Sequence, residues 1–367
     1  MDQQTAARVA QADRGRAAST PIAIPPKGWK DIAWRLYRAL GEDRVMLTAA
    51  GVSFYLVLAL VPTLTAVVAL YGLFADRASV VSHLALLDGI VPHAALALIA
   101  DQLTRLAARP ADTLGITLLI SLAIALWSAS AGVKSMFEAM NVAYAEEERR
   151  NFFQISGLAL LFTLGGAMAA ILVAAAVIAM PPILSLLPLG PLAEIGVRVA
   201  AYAVMLAILW LGLSALYRWG PSREAARWRW IAPGTLLAVL GLGIGSIVFS
   251  WYVTNFSDYD AAYGSLGAMI ALLTWFWLST IIVIMGAELN SEIEHQTARD
   301  TTTGPEAPLG ERGAYMADHV GRVWPPARKR LEAEERPQRE RQRFNWGRIA
   351  ASLPFAALML RSQRNRR

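Results

Sequence analysis

Long apolar runs separated by short polar breaks dominate the chain. Crossing the ~30 Å hydrocarbon core of a bilayer takes about 20 apolar residues, each rising 1.5 Å. Six stretches meet that length and hold no Asp, Glu, Lys, Arg or His: residues 45–75, 113–133, 155–180, 199–217, 231–254 and 264–287. The pattern predicts an all-α polytopic integral membrane protein with six transmembrane helices. The first stretch exceeds one straight crossing and contains Pro62, which removes an internal backbone hydrogen bond. It predicts a kink there, or an interfacial start before the span.

Other segments carry helical spacing without the length to span. In KGWKDIAWRLYRAL, Trp29, Ile32, Ala33, Leu36 and Leu40 share one face, while Lys30, Arg35 and Arg38 lie off it. That is the pattern of an amphipathic helix lying in the membrane interface. Residues 76–112 show the spacing at Val80, Leu84 and Leu87 and again at Leu96, Ile99, Leu103 and Leu106. Asp88, Pro92, His93 and Asp101 interrupt it, so two short amphipathic helices are expected. Residues 1–27 read as a disordered N-terminus, 28–295 as the membrane domain and 296–367 as a basic, largely disordered tail. The tail closes on WGRIAASLPFAALMLRSQRNRR, a short apolar stretch with a basic terminus that suits a membrane surface.

Composition agrees with the pattern. Of 367 residues, 56% are hydrophobic and 17% charged, against about 25% charged in soluble domains. The positive charge also sets an orientation. Of the 34 Lys and Arg residues, all but Arg77, Arg105, Arg109 and Arg198 fall before the first span, after the second and fourth, or in the tail. Short basic loops stay inside, so both termini are expected in the cytosol. Many charges precede a first apolar run too long for a signal peptide, which reads as an uncleaved span.

The candidate chemistry is sparse. Cysteine is absent, and His83, His93, His295 and His319 show no metal-binding spacing. Neither a cofactor nor a metal is expected. No GxxxxGK[ST] pattern occurs, and LGLGIGS lacks the preceding strand a nucleotide loop requires. The spans hold no carboxylate or histidine for a proton relay through the bilayer centre. They do hold hydroxyls: Thr48, Ser53 and Tyr55; Ser121, Ser128 and Ser130; Ser246 and Ser250; Thr274, Ser279 and Thr280. Such groups bond to their own backbone or a neighbouring helix, or line a semi-polar groove. Gly241 and Gly245 form a GxxxG, and Gly165 and Gly166 precede Ala169 and Ala170 by one turn; both patterns permit close helix packing. RWGPSREAARWRW interleaves arginine and tryptophan, as nucleic-acid sites do. Between two spans it reads instead as an interfacial belt, so no nucleic-acid partner is expected. Its arginines suit anionic lipid headgroups.

The last span poses a question. It ends in GAELNSEIE, with Glu288, Glu292 and Glu294 at a helix C-terminus, where each exposed acid costs about 0.3–1 kcal/mol against the helix dipole. Lys134, Arg149, Arg150 and Arg218 emerge at the same level. A charge clamp is expected in which Glu288 or Glu292 pairs with one of these four cations, the alternative being glutamates solvated at the headgroup boundary.

FYLVLALVP, GVKSMFEAMNVAYAEEERRNFF, IAPG and YVTNFSDYDAAYGSLGAMIALLTWFWLSTIIVIMGAELNSEIE together resemble the YihY/BrkB family of bacterial inner-membrane proteins. The resemblance covers about residues 30–295. It implies six spans, residence in the bacterial cytoplasmic membrane, a role in the envelope and in serum resistance, and movement of lipids or other amphiphiles, with envelope proteins as candidate partners. By position the motif residues are Ser53, Tyr55, Pro62, Lys134, Asn141, Arg149, Arg150, Gly234, Tyr263, Gly264, Gly267, Glu288 and Asn290. An older ribonuclease label attached to the family finds no catalytic cluster here. A transporter of amphiphiles is thus the leading expectation, with a membrane scaffold as the alternative and a tRNA-processing ribonuclease third.

Overall fold

The computed structural model describes residues 11–74, 111–186, 190–256 and 267–324. Two 3-10 turns, Ala12–Arg14 and Pro21–Ala23, precede α1 (Pro26–Glu42), α2 (Val45–Phe74) and α3 (Ala111–Ala143). Then follow α4 (Phe152–Leu186), α5 (Pro191–Trp219), α6 (Trp228–Phe256), α7 (Gly267–Glu294) and a short α8 (Tyr315–Asp318). Among the described residues no strand forms, and an isolated antiparallel bridge joins Ala226 to Thr302. The all-helical expectation therefore holds. Four helical stretches are long and apolar enough to cross a membrane: Phe152–Ala169, Leu192–Trp219, Trp228–Asn255 and Met269–Glu294. Val45–Ala59 is a shorter apolar helix. The helices expected within 76–112, together with Tyr263 and Gly264, lie outside the described residues.

Local chemistry explains where these helices begin and end. Pro26 and Pro191 occupy first-turn positions, where no intrahelical partner for an N–H is needed. α2 runs unbroken past position 62. α3 outlasts its apolar run because Phe137, Met140 and Ala143 bury one face of the polar extension that begins at Lys134. α7 likewise continues through all three acids to Glu294.

Among the described residues, burial concentrates at one end of the bundle. It takes in Val45 and Ala49 at the start of α2, Met140 and Ala143 at the end of α3, and Leu213 and Tyr217 at the end of α5. Ile231 and Ala238 open α6, and Ile284 and Ala287 close α7, in the same cluster. Lys134 of α3 donates to Ser156 near the start of α4 at 2.9 Å, bringing α4 to that end as well. The six long helices thus alternate in direction, each placing one end in the same polar layer.

α6 and α7 cross at backbone distance. A Cβ at Gly234 would lie 2.0 Å from the Gly286 carbonyl oxygen, and one at Gly286 would lie 2.3 Å from the Tyr217 hydroxyl. Further along, Gly241 and Gly245 receive Ile282. Position 234 therefore tolerates only glycine, for reasons of space. The GxxxG packs as expected, whereas Gly165 and Gly166 of α4 have nothing within 4 Å of a Cβ.

Three expectations need correction. α1 forms, but it buries Asp31, Ile32 and Arg35, leaving Trp29 and Ala33 exposed. Arg35, read as lying on the polar side, is drawn inward by charge pairing at the end of α7, while Lys30 stays exposed. Residues 11–26 are folded: Arg16 is buried and donates to the carbonyls of Gln296 (2.9 Å) and Gly321 (2.7 Å). Residues 297–321 are folded too, because Arg312 gathers the carbonyls of Ala298, Arg299, Ala307 and Ala317. Residues 1–321 form one compact unit; a second, 322–367, is described only over 322–324.

Candidate functional site

The end of α7 organises the polar layer. Glu288, Glu292 and His295 follow at i, i+4 and i+7 and so share a face, while Glu294 points away from it. Each glutamate meets a different neighbour. Glu292 pairs with Arg35 of α1, whose guanidinium also donates to the Glu292 carbonyl (3.0 Å) and to Gln296 Oε1 (2.9 Å). His295 Nδ1 stands 3.5 Å from the same carboxylate; burial holds this imidazole below its ordinary pKa, with Glu292 opposing. Gln296 in turn donates to the Arg14 carbonyl at 2.9 Å, and Arg14 pairs with buried Asp31 at 2.7 Å.

Glu294 is answered on the other face. Arg223 Nη2 lies 2.8 Å from both of its carboxylate oxygens, and Thr301 Oγ1 donates to it at 2.8 Å. The guanidinium sits 4.5 Å above the Tyr144 ring. Both charged side chains are essentially excluded from solvent. A buried pair survives desolvation only with such extra hydrogen bonds.

Glu288 is buried, its Oε1 has no hydrogen-bond partner, and its acidic neighbour is Asp43, in the elbow between α1 and α2. Half-burial, with the nearby Glu42 and Glu292 charges adding to it, pushes Asp43 from 3.8 up to about 6, although its neighbour Glu288 acts in the opposite sense. Across that window the folded chain binds more protons than the unfolded one, so this group's contribution to stability falls as pH rises from about 4 to about 6. Asp43→Asn should remove that slope. The difference between wild-type and variant unfolding free energies should change by about 1 kcal/mol across the window, after discounting for solvent screening. Chemical unfolding at pH 4.5 and 7 reads it.

The four cations expected to meet Glu288 or Glu292 are engaged elsewhere. Lys134 donates to Ser156 and lies 5.1 Å from the Phe152 ring centroid. Arg149 reaches Glu146 at 3.7 Å. Arg150 pairs with Glu148 at 2.6 Å and caps α5 through the carbonyls of Trp219 and Gly220. Its hydrogen bond holds Glu148 down at about 2. Arg218 donates to the Ala226 carbonyl and packs over Trp219 and Trp228. α7 is clamped, but by Arg35 and Arg223. The belt of arginines and tryptophans is correspondingly not all interfacial, since Arg223 and Trp230 are buried.

Of the motif residues that are described, Asn141, Gly234 and Asn290 join this layer. Asn141 accepts from the Ser222 N–H (2.7 Å) and donates to Glu148 (3.0 Å), stapling the end of α3 to the loop after α5. Asn290 Oδ1 accepts from the Gly234 N–H at 2.7 Å, so IAPG and GAELN meet face to face. Ser53 is buried and bonds the Ala49 carbonyl at 2.7 Å. Tyr55 packs edge-on against Phe54, and Gly267 is buried at the start of α7. Among the described residues no group of His, Asp or Glu could hold a metal.

Apolar helices long enough to span, meeting in a charged layer, define a multi-pass membrane protein. The chain belongs to the family described as virulence factor BrkB, matching it over residues 36–310. It is 35% identical over 182 residues to the ribonuclease-like protein YfkH of Bacillus subtilis (46% of this chain, 62% of that one). It is 25% identical over 269 residues to a UPF0761 membrane protein of Delftia acidovorans (71% and 61%). A UPF0761 membrane protein of Xanthomonas campestris pv. campestris matches at 39% over 102 residues (28% and 23%). The chain thus spans about three fifths of the length of the first two relatives and a quarter of the third. No solved structure matches it.

Proposed function

We propose that this chain is a six-span protein of the bacterial cytoplasmic membrane, with both termini in the cytosol, that moves or channels a lipid or another amphiphile. The observation that supports this is the uneven burial of its helices. In the α7 span 28% of positions are buried, against 6%, 11% and 11% in the spans of α4, α5 and α6. Away from the charged layer these helices turn apolar side chains outward, as acyl chains sliding along them would require.

Several hydroxyls turn back onto their own helix. Ser53, Thr235 and Thr274 bond the carbonyl four residues back. The seam between α3 and α4 carries a run of polar groups: Thr163, which also bonds the Ala159 carbonyl, meets Ser130 at 3.3 Å, and Lys134 and Ser156 lie further along toward the charged layer. An amphiphile could set its headgroup in this lane and its chains outside.

Reconstitution into phospholipid vesicles with fluorescent lipids on both leaflets tests the reading. Protein-containing vesicles should expose inner-leaflet label to an impermeant quencher faster than empty ones. No acceleration for any phospholipid or glycolipid overturns it. The scaffold alternative rests on partners recruited through the cytosolic loops and tail. Deleting residues 325–367 should leave lipid movement intact if the membrane domain does the work.

A further inference from the structure

Lys134 is half-buried, yet among the described residues no acid pairs with it. Glu138 lies one turn further along α3, but it is exposed and forms no bridge to Lys134. Other cations of the layer are answered: Arg35 by Glu292, Arg150 by Glu148 and Arg223 by Glu294. An ammonium group carries three donors, and Ser156 Oγ takes one of them at 2.9 Å. Two aromatic rings frame the rest of it. The ammonium lies over Phe152 at 5.1 Å from the ring centroid and over Trp127 at 6.0 Å. Such contacts attract a cation without neutralising it. Phe152 is 64% exposed and Trp127 73%, so the frame opens away from the protein core. A partly desolvated charge with two donors to spare is costly to keep without a counter-ion.

We propose that Lys134 seats the phosphate of an anionic phospholipid, with Ser156 holding the ammonium in place and the acyl chains lying outward along the α3–α4 seam. The phosphodiester brings the missing negative charge and the oxygens that accept the two spare donors. A lipid suits the site better than a free phosphate ion. The exposed rings set apolar surface beside the charge, which stabilises acyl chains and not a hydrated ion. An anionic headgroup also suits it better than a choline headgroup. The choline cation would face Lys134, and the two rings that would bind it are already turned to the ammonium. Ser130 lies one turn before Lys134 on α3, about 6 Å along the axis, and with Thr163 it lines the seam where the glycerol esters of a lipid held at Lys134 would fall. The site gives the proposed amphiphile a headgroup class. It relies on the seam facing lipid, and not on any movement of lipid across the bilayer.

The full chain in uncharged detergent micelles is treated with an amine-acylating reagent, and acylation at each lysine is read by mass spectrometry. Dioctanoyl phosphatidylglycerol should protect Lys134 several-fold and saturably, while exposed Lys30 of α1 stays unchanged. Dioctanoyl phosphatidylcholine and inorganic phosphate should protect Lys134 far less at equal concentration. Binding of radiolabelled phosphatidylglycerol should weaken at least about tenfold in Lys134→Gln, the weight of one charge-assisted hydrogen bond, and should persist in Lys134→Arg. The footprint needs no variant, so it decides the matter if Lys134→Gln misfolds. Equal protection of Lys30, equal protection by phosphatidylcholine or inorganic phosphate, or undiminished binding to Lys134→Gln overturns the proposal. Lipid bound at Lys134 without transbilayer movement would sink transport and keep this site; movement without the footprint would do the reverse.

Discussion

Arg223→Leu should destabilise the membrane domain by about 3–5 kcal/mol, the usual consequence of stranding one member of a buried ion pair. Glu294 has no exposed surface, so without Arg223 its charge keeps the Thr301 hydroxyl as its hydrogen-bonding support. The double variant Arg223→Leu, Glu294→Leu should recover most of the loss, because apolar replacement of both partners removes the desolvation penalty together with the attraction. Equilibrium unfolding of the purified chain in mixed micelles reads both effects. A single variant within about 1 kcal/mol of wild type would place the pair among solvent-screened contacts, against its burial.

Gly234→Ala should be nearly as harmful, at about 3 kcal/mol, the upper part of the range for overpacking. Its added methyl would meet a backbone oxygen at 2.0 Å, and a carbonyl inside a helix cannot rotate away. Relief requires α6 and α7 to separate, which also stretches the hydrogen bond from the Gly234 N–H to Asn290. Gly165→Ala is the matched control. With open space around it, that change should be neutral or stabilising by up to about 1 kcal/mol through helix propensity. Comparable losses at both positions would mean that backbone proximity is not what the glycine at 234 protects.

Hydrophobic periodicity made the helical architecture legible, because every span must satisfy its backbone internally and bury no charge. The same logic hid the charged layer. Arg35 falls on the polar side of α1 by spacing, and only knowing that α7 ends beside it explains why it turns inward. The spacing of the three glutamates did carry a signal: Glu294 cannot share a partner with Glu288 and Glu292, so at least two answers were required. That the neighbour of Glu288 is another acid, Asp43, was not readable, since like-charged residues are ordinarily expected to keep apart. Arg223 was masked by its setting in a basic, aromatic loop, where the prior for an interfacial arginine is strong. The folding of residues 11–26 depends on carbonyl acceptors at great sequence separation, and that of 297–321 on Arg312 gathering carbonyls 5 to 14 residues away; composition says nothing about either.

That separation has a consequence in time. The acceptors of the Arg16 guanidinium lie 280 and 305 residues downstream, and a ribosome adding about 5–20 residues per second takes roughly 15–60 s to reach them. For that interval the start of the chain can pair with α1, as Arg14 does with Asp31, but it lacks these two acceptors while the helices between are inserted one after another. Synthesis therefore imposes its own schedule, with the charged floor sealed last, and a nascent chain stalled before Gly321 still lacks the closing bond from Arg16.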